Sequence, residues 1–158
     1  MTAQASEMIL IDGIEQSLCT EPLEYYFGMA QHRPDFYAKC TAIHRGYLAT
    51  WQILNDRLYL IDIDGEISTG IDSSTKVTLN DLFPGYPERV FAHWYSGELR
   101  IPQGELIHYV HGGYASSYEQ DLFIKIVHGI VISQRTQVNS SDADSSPSDF
   151  AAHAEAHL

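Results

Sequence analysis

Basic side chains are scarce in this chain: 9 Lys and Arg stand against 21 Asp and Glu, a formal net charge of −12 with histidine neutral. A protein that grips nucleic acid by displacing counterions from phosphate needs a stripe of Lys and Arg, and the sequence holds no such stripe. The same imbalance disfavours anionic membrane surfaces. Cysteine is scarcer still. Cys19 and Cys40 are the only two, too few for a disulfide framework or a zinc ribbon, and they read as free thiols in a reducing compartment. No run reaches the ~20 apolar residues of a membrane span. Residues 1–7 lack the basic start and apolar core of a secretory signal. Together these absences predict a cytoplasmic protein with neither nucleic acid nor membrane as partner.

The acids that are present gather at the two ends. Glu7, Asp12, Glu15, Glu21, Glu24 and Asp35 face a single base, Arg33, in the first 35 residues, and Asp142, Asp144, Asp149 and Glu155 face none in the last 20. A negative surface of this kind suits a basic protein partner and also aids solubility.

Strand signals dominate the middle. Tyr47, Ala49, Trp51 and Ile53 alternate with Leu48, Thr50, Gln52 and Leu54, and a second β-rich run over residues 57–63 follows Asn55 and Asp56, which read as a hairpin turn. Residues 64–74, rich in Gly, Asp and Ser, read as an exposed connection. Residues 89–95 form a further strand that Ser96 and Gly97 turn into residues 98–101. Pro102, Gln103 and Gly104 break the chain before a strand over 105–111. Residues 118–127 and 130–133 flank His128 and Gly129 as a last hairpin. Residues 8–11 make a short strand at the start, residues 18–27 hold a short helix or a strand with bulky aromatics, with helix favoured, and residues 79–83 make one helical turn.

The fold class is therefore mainly β (β-rich α+β): one domain over residues 1–138, an antiparallel sheet folded on itself as a barrel or sandwich, with one or two short helices. Its core should take Tyr47, Ala49, Trp51 and Ile53 from one strand and Val90, Ala92 and Trp94 from another. Residues 139–158 read as an acidic Ser/Asp-rich linker and a short C-terminal helix capped by Ser146 with Pro147 in its first turn.

Chemistry-bearing residues crowd between Phe91 and Glu119: His93, Tyr95, His108, His111, Tyr114 and Tyr118 lie between them. Within this stretch, Leu82-Phe83-Pro84-Gly85, Val90-Phe91-Ala92-His93-Trp94-Tyr95-Ser96-Gly97, Tyr109-Val110-His111 and Gly113-Tyr114-Ala115-Ser116-Ser117-Tyr118-Glu119 resemble a family of small uncharacterised bacterial proteins. Arg45-Gly46-Tyr47-Leu48-Ala49-Thr50-Trp51 is similar to the same family, so the resemblance runs over roughly residues 45–131. It implies no activity.

Metal chelation fits poorly. His108 and His111 are three apart on a strand-like pattern, which sends them to opposite faces. His153 and His157 share a helical face without a complete ligand set. No cofactor motif or nucleophile elbow is legible.

Two functional expectations follow. The first is a non-enzymatic acidic binding protein, immunity- or antitoxin-like, that occludes a basic partner through Glu15, Glu21 and Glu24 with Tyr95, His111, Tyr114, Tyr118 and Glu119 as a binding patch. The alternative is a small intracellular enzyme or ligand-binding domain in which His111 and Glu119 do acid–base chemistry, Tyr114 and Tyr118 shape a pocket and Arg45 or Arg100 holds an anion.

Overall fold

The computed structural model describes residues 3–38 and 40–139. Of the linker and helix expected over residues 139–158, all but Asn139 lie outside the described residues.

Most of the described chain is strand. The elements are β1 (Glu7–Ile11), β2 (Ile14–Leu18), α1 (Pro22–Ala30), β3 (Tyr47–Leu54), β4 (Arg57–Gly70), β5 (Ser73–Lys76), α2 (Leu79–Leu82), β6 (Val90–Phe91), β7 (Gly97–His108), β8 (Ser117–Val127) and β9 (Ile130–Val138). They form one sheet in the order β2-β1-β3-β4-β9-β8-β7, with β5 and β6 also on β4. The sheet folds over itself as a sandwich-like single domain and does not close into a barrel. Its end strands approach each other, and the amide of Cys19, just past β2, donates to the carbonyl of Arg100 on β7 at 2.9 Å. The sheet is mixed, not purely antiparallel: β1 runs parallel to β3, because the chain leaves the β1–β2 hairpin and crosses over through α1 before returning on the far side of β1.

The Asn55/Asp56 and His128/Gly129 hairpins stand where the sequence puts them. Asn55, Asp56, His128 and Gly129 all have positive φ, the two-residue turn geometry whose twist matches that of paired strands. Inward alternation also holds: Tyr47, Ala49 and Trp51 are buried and Ile53 half-buried. α1 begins at Pro22, whose missing N–H costs nothing in a first helical turn, and it buries Leu23 and Phe27. α2 is the single turn expected at 79–83, closed by a capping box between Thr78 and Asp81.

Four readings are corrected. Residues 64–74 are not a loose connection: β4 continues to Gly70 and turns into β5. The polar run Asp62, Asp64, Glu66 is the outward alternation of a long strand whose inward positions are Ile63 and Gly65, and a Cβ on Gly65 would sit 2.9 Å from that of Tyr47. Residues 89–95 are strand only at Val90–Phe91, paired to β4. Beyond that the chain turns, with the Tyr95 amide on the Ala92 carbonyl, so that Trp94 and Tyr95 drop into the core. Ser96 and Gly97 are consequently no hairpin, and β7 pairs β8 instead. Pro102, Gln103 and Gly104 do not end a strand but make a bulge in β7, with Gly104 at φ 82°. β2 went unread, since only Leu18 of its five residues is fully buried.

Candidate functional site

Glu7 and Arg45 are the two most deeply buried charges among the described residues. Glu7 occupies an inward position of β1, in line with Ile9, and is 1% exposed. Arg45 lies just before β3 and is 3% exposed. Its Nε donates to Glu7 Oε2 at 3.1 Å, and the indole N–H of Trp51 donates to Glu7 Oε1 at 2.7 Å. A second Arg45 nitrogen donates to the Ala5 carbonyl at 3.1 Å. The remaining one, Nη1, has no hydrogen-bond partner and faces Glu21 Oε2 at 3.5 Å. Glu21 in turn accepts from the Tyr114 hydroxyl. These contacts fasten residues 3–7 between the loop carrying Gly113 and Tyr114 and the turn at Thr41–Ile43, where the Ala5 amide reaches the Ala42 carbonyl at 2.7 Å.

Burial is the largest influence on the Glu7 carboxyl and pushes it up from 4.5 to about 7, against the pull of Arg45 and Trp51. A carboxyl raised on folding favours the folded state while protonated. Its contribution is therefore complete below pH 4.5 and is lost as pH rises through about 7. The melting temperature of the native protein relative to Glu7→Gln is expected to fall across that window. A difference that stays level or climbs contradicts the reading.

The expected site residues each make contacts of their own. Tyr95 is 1% exposed, packed edge-on against Tyr25 and donating to the Glu98 carbonyl, so it is core and offers nothing to a ligand. His111 is exposed and turned edge-on to Tyr109. Glu119 is also exposed, but its Oε1 accepts the Glu105 amide at 2.7 Å and holds the β7 bulge. Tyr114 points to Glu21, and Tyr118 lies half-buried opposite Leu106. His111, Tyr114 and Glu119 thus bond to three different partners.

Glu24 carries a two-pronged ion pair from Arg33, 3.1 Å on each side, and accepts the Tyr47 hydroxyl at 2.6 Å. Glu21 and Glu24 are therefore structural groups and not free surface charge; Glu15 alone of that trio is exposed and unpaired among the described residues. Neither proposed anion-binding arginine is available. Arg45 is buried, and Arg100 binds Asp121 at 2.9 Å and the carbonyls of Tyr114 and Ser116. The Cys19 thiol is pushed up to about 11 by burial, which leaves it unreactive at neutral pH. Among the described residues no group of three or more His, Cys, Asp and Glu side chains could hold a metal ion.

What the fold does assemble is a face. Register places Met8 beside Thr50 and Leu10 beside Gln52, Ser17 beside Met8 and Glu15 beside Leu10, and Leu48 beside Asp64 with Thr50 beside Asp62. These are the outward positions of β2, β1, β3 and β4. Met8, Leu10 and Leu48 form a half-buried apolar centre, and Glu15 borders it on one side, Asp62 and Asp64 on the other. No ion pair among the described residues reaches these three acids. A small hollow lined by Ile43, Gly46, Leu48, Asp64 and Gly65 ends the face. Of its basic residues, Arg57 and Arg89 stand at the far end of β4, Arg89 over the ring of Tyr59 at 4.7 Å, and Lys76 stands on β5 opposite Glu66. Alternation over β1 and β3 could have found this face from the sequence, but its completion depended on reading β2 and the full length of β4.

Comparison with protein-family models, with curated proteins and with solved structures returns no match. No helix among the described residues is long and apolar enough to cross a membrane.

Proposed function

We propose that the chain is a non-enzymatic acidic binding protein, of the immunity or antitoxin type, that occludes a basic protein partner. The observation that carries this reading is the outward face of β1–β4, an apolar centre with unpaired acids on both borders. Protein interfaces share that anatomy, with an apolar centre that loses water and a charged rim that stays wet. The alternative, catalysis by His111 and Glu119, draws less support, because His111 lies edge-on to Tyr109 and Glu119 accepts the Glu105 amide.

Affinity capture with the full chain from its host should return one basic protein at near-equal stoichiometry. Reversing Glu15, Asp62 and Asp64 to Lys together is expected to slow association with that protein about tenfold or more while changing dissociation little, because rim charge acts on encounter. Salt should erase the difference, as exposed charges are screened beyond about 8 Å at physiological ionic strength. Replacing Leu10 by Ala should instead speed dissociation. Equal association rates for the native protein and the charge-reversed variant would reject the reading. So would a bound metabolite whose turnover is abolished by Glu119→Gln.

A further inference from the structure

The sheet's edges are finished unequally. β2 and β7 meet, with the Gln103 side-chain amide donating to Gln16 at 3.2 Å. β5 spans four residues and ends in Lys76. β9 differs from both. It pairs β8 from Ile130 to Val138, yet on its other side it meets β4 only at Ile130, opposite Arg57, with the Val131 amide on the Asp56 carbonyl at 2.8 Å. From Ser133 onward no other strand among the described residues lies beside it, and residues 133–136 are exposed. Native sheets blunt open edges with proline, lysine, bulges or short strands. Residues 133–138 contain no proline or lysine, and the irregularity of the β8–β9 ladder lies before them, between Lys125 and Ile126 on the β8 side.

The direction of the free backbone groups can be read from the ladder. The Asn139 amide donates to the Glu119 carbonyl on the β8 side at 2.9 Å. Residues of an antiparallel strand turn their amide and carbonyl alternately toward and away from a neighbour. Val138, Thr136 and Gln134 therefore direct theirs away from β8, toward the open edge.

Charge selects the occupant. In a chain of net −12 the stretch 130–138 contains one charged residue, Arg135, which pairs with Glu98 at 3.2 Å. Within that stretch, two copies of so acidic a chain set no acid against an acid. The stretch is also self-complementary. A two-fold axis at Thr136 sets Thr136 opposite its own copy, Gln134 opposite Val138 and Arg135 opposite Gln137. This uses all three outward residues, faces no like charges and creates a favourable Thr–Thr cross-strand pair. Val138, 58% exposed, gains cover at each end.

We infer that β9 is a homodimer edge: two copies pair antiparallel through residues 134–138, and the sheet runs continuously across the two-fold axis. This surface is separate from the β1–β4 face and does not depend on the function proposed for it.

Sedimentation equilibrium of the full chain over a concentration series tests it. The native protein should reach twice the 17.8 kDa of one chain. Thr136→Pro removes an outward-facing N–H and leaves the bonds to β8 in place, so it should stay monomeric with an unchanged circular dichroism spectrum. If that variant misfolds, Thr136→Lys examines the same edge, because it sets a lysine against its own copy; the dimer should weaken several-fold and recover with salt. A native protein that is monomeric throughout, or a folded Thr136 variant that dimerises as well as the native chain, overturns the inference.

Discussion

Arg45→Ala is expected to destabilise the protein by about 3–5 kcal/mol, the range for a buried ion pair that loses one partner. The loss would arise on the Glu7 side. With the guanidinium gone, Glu7 keeps the Trp51 indole and a longer contact from the Ala49 amide, at 3.4 Å, as donors, in a position almost without solvent. Ala5 loses a donor to its carbonyl, and Glu21 keeps the Tyr114 hydroxyl but loses the nearest positive charge. The unpaired carboxylate, not the missing arginine contacts, should dominate. That claim separates from simple loss of packing in a double-mutant cycle. Adding Glu7→Gln removes the stranded charge, so the pair Arg45→Ala/Glu7→Gln should be less destabilised than the sum of the two single changes. Denaturant unfolding at pH 8, above the value of about 7 that Glu7 has in the native protein, would measure the difference. Additive losses would mean that the two residues do not work as one unit.

Alternation carried most of what was legible in the sequence. It placed β3, the start of β4, β8 and both two-residue hairpins, because in each case one face of the strand is buried and turn residues mark its ends. It failed where burial has no period-two pattern. β2 covers little and looks like loop; the second half of β4 carries Asp, Gly and Ser because its outer face is wet and Gly65 must lie against Tyr47. Around Trp94, apolar spacing suggested a strand, but the same burial is achieved by a turn, with the indole stacked on Phe83 at 5.7 Å and donating to the Pro22 carbonyl.

The site was less legible than the fold for a related reason. Glu7, Glu21 and Glu24 are alike in a count of acids, yet one is buried against Arg45 and two are tied to Tyr114, Tyr47 and Arg33. Only long-range pairing distinguishes them from Glu15, and no local spacing encodes a partner 23, 38 or 93 residues away. A hint existed for Glu7 alone: it shares the inward parity of Ile9 on β1, a position where a carboxylate demands a buried donor.

Trp51→Ala should cost as much as the arginine change or more. A fully buried Trp reduced to Ala loses about 3–5 kcal/mol through lost burial and the cavity left behind, and Trp51 is 0% exposed at the centre of β3, edge-on to Trp94 at 6.5 Å. The indole is also a hydrogen-bond donor to Glu7, so the substitution opens a cavity and strips the buried carboxylate of its shortest bond at once. Leaving a buried acceptor unpaired costs about 1–3 kcal/mol more. Trp51→Phe divides the two contributions, because it keeps most of the ring volume and discards only the N–H and part of the indole. If the polar bond matters as the geometry implies, Trp51→Phe should lose about 1–3 kcal/mol, and that loss should shrink at acid pH, where Glu7 is protonated and less demanding of donors. Chemical denaturation of both variants at pH 4 and pH 8 makes the comparison. A Trp51→Phe penalty that is the same at both pH values would show that the indole is held for its volume alone, and that Arg45 satisfies the carboxylate without it.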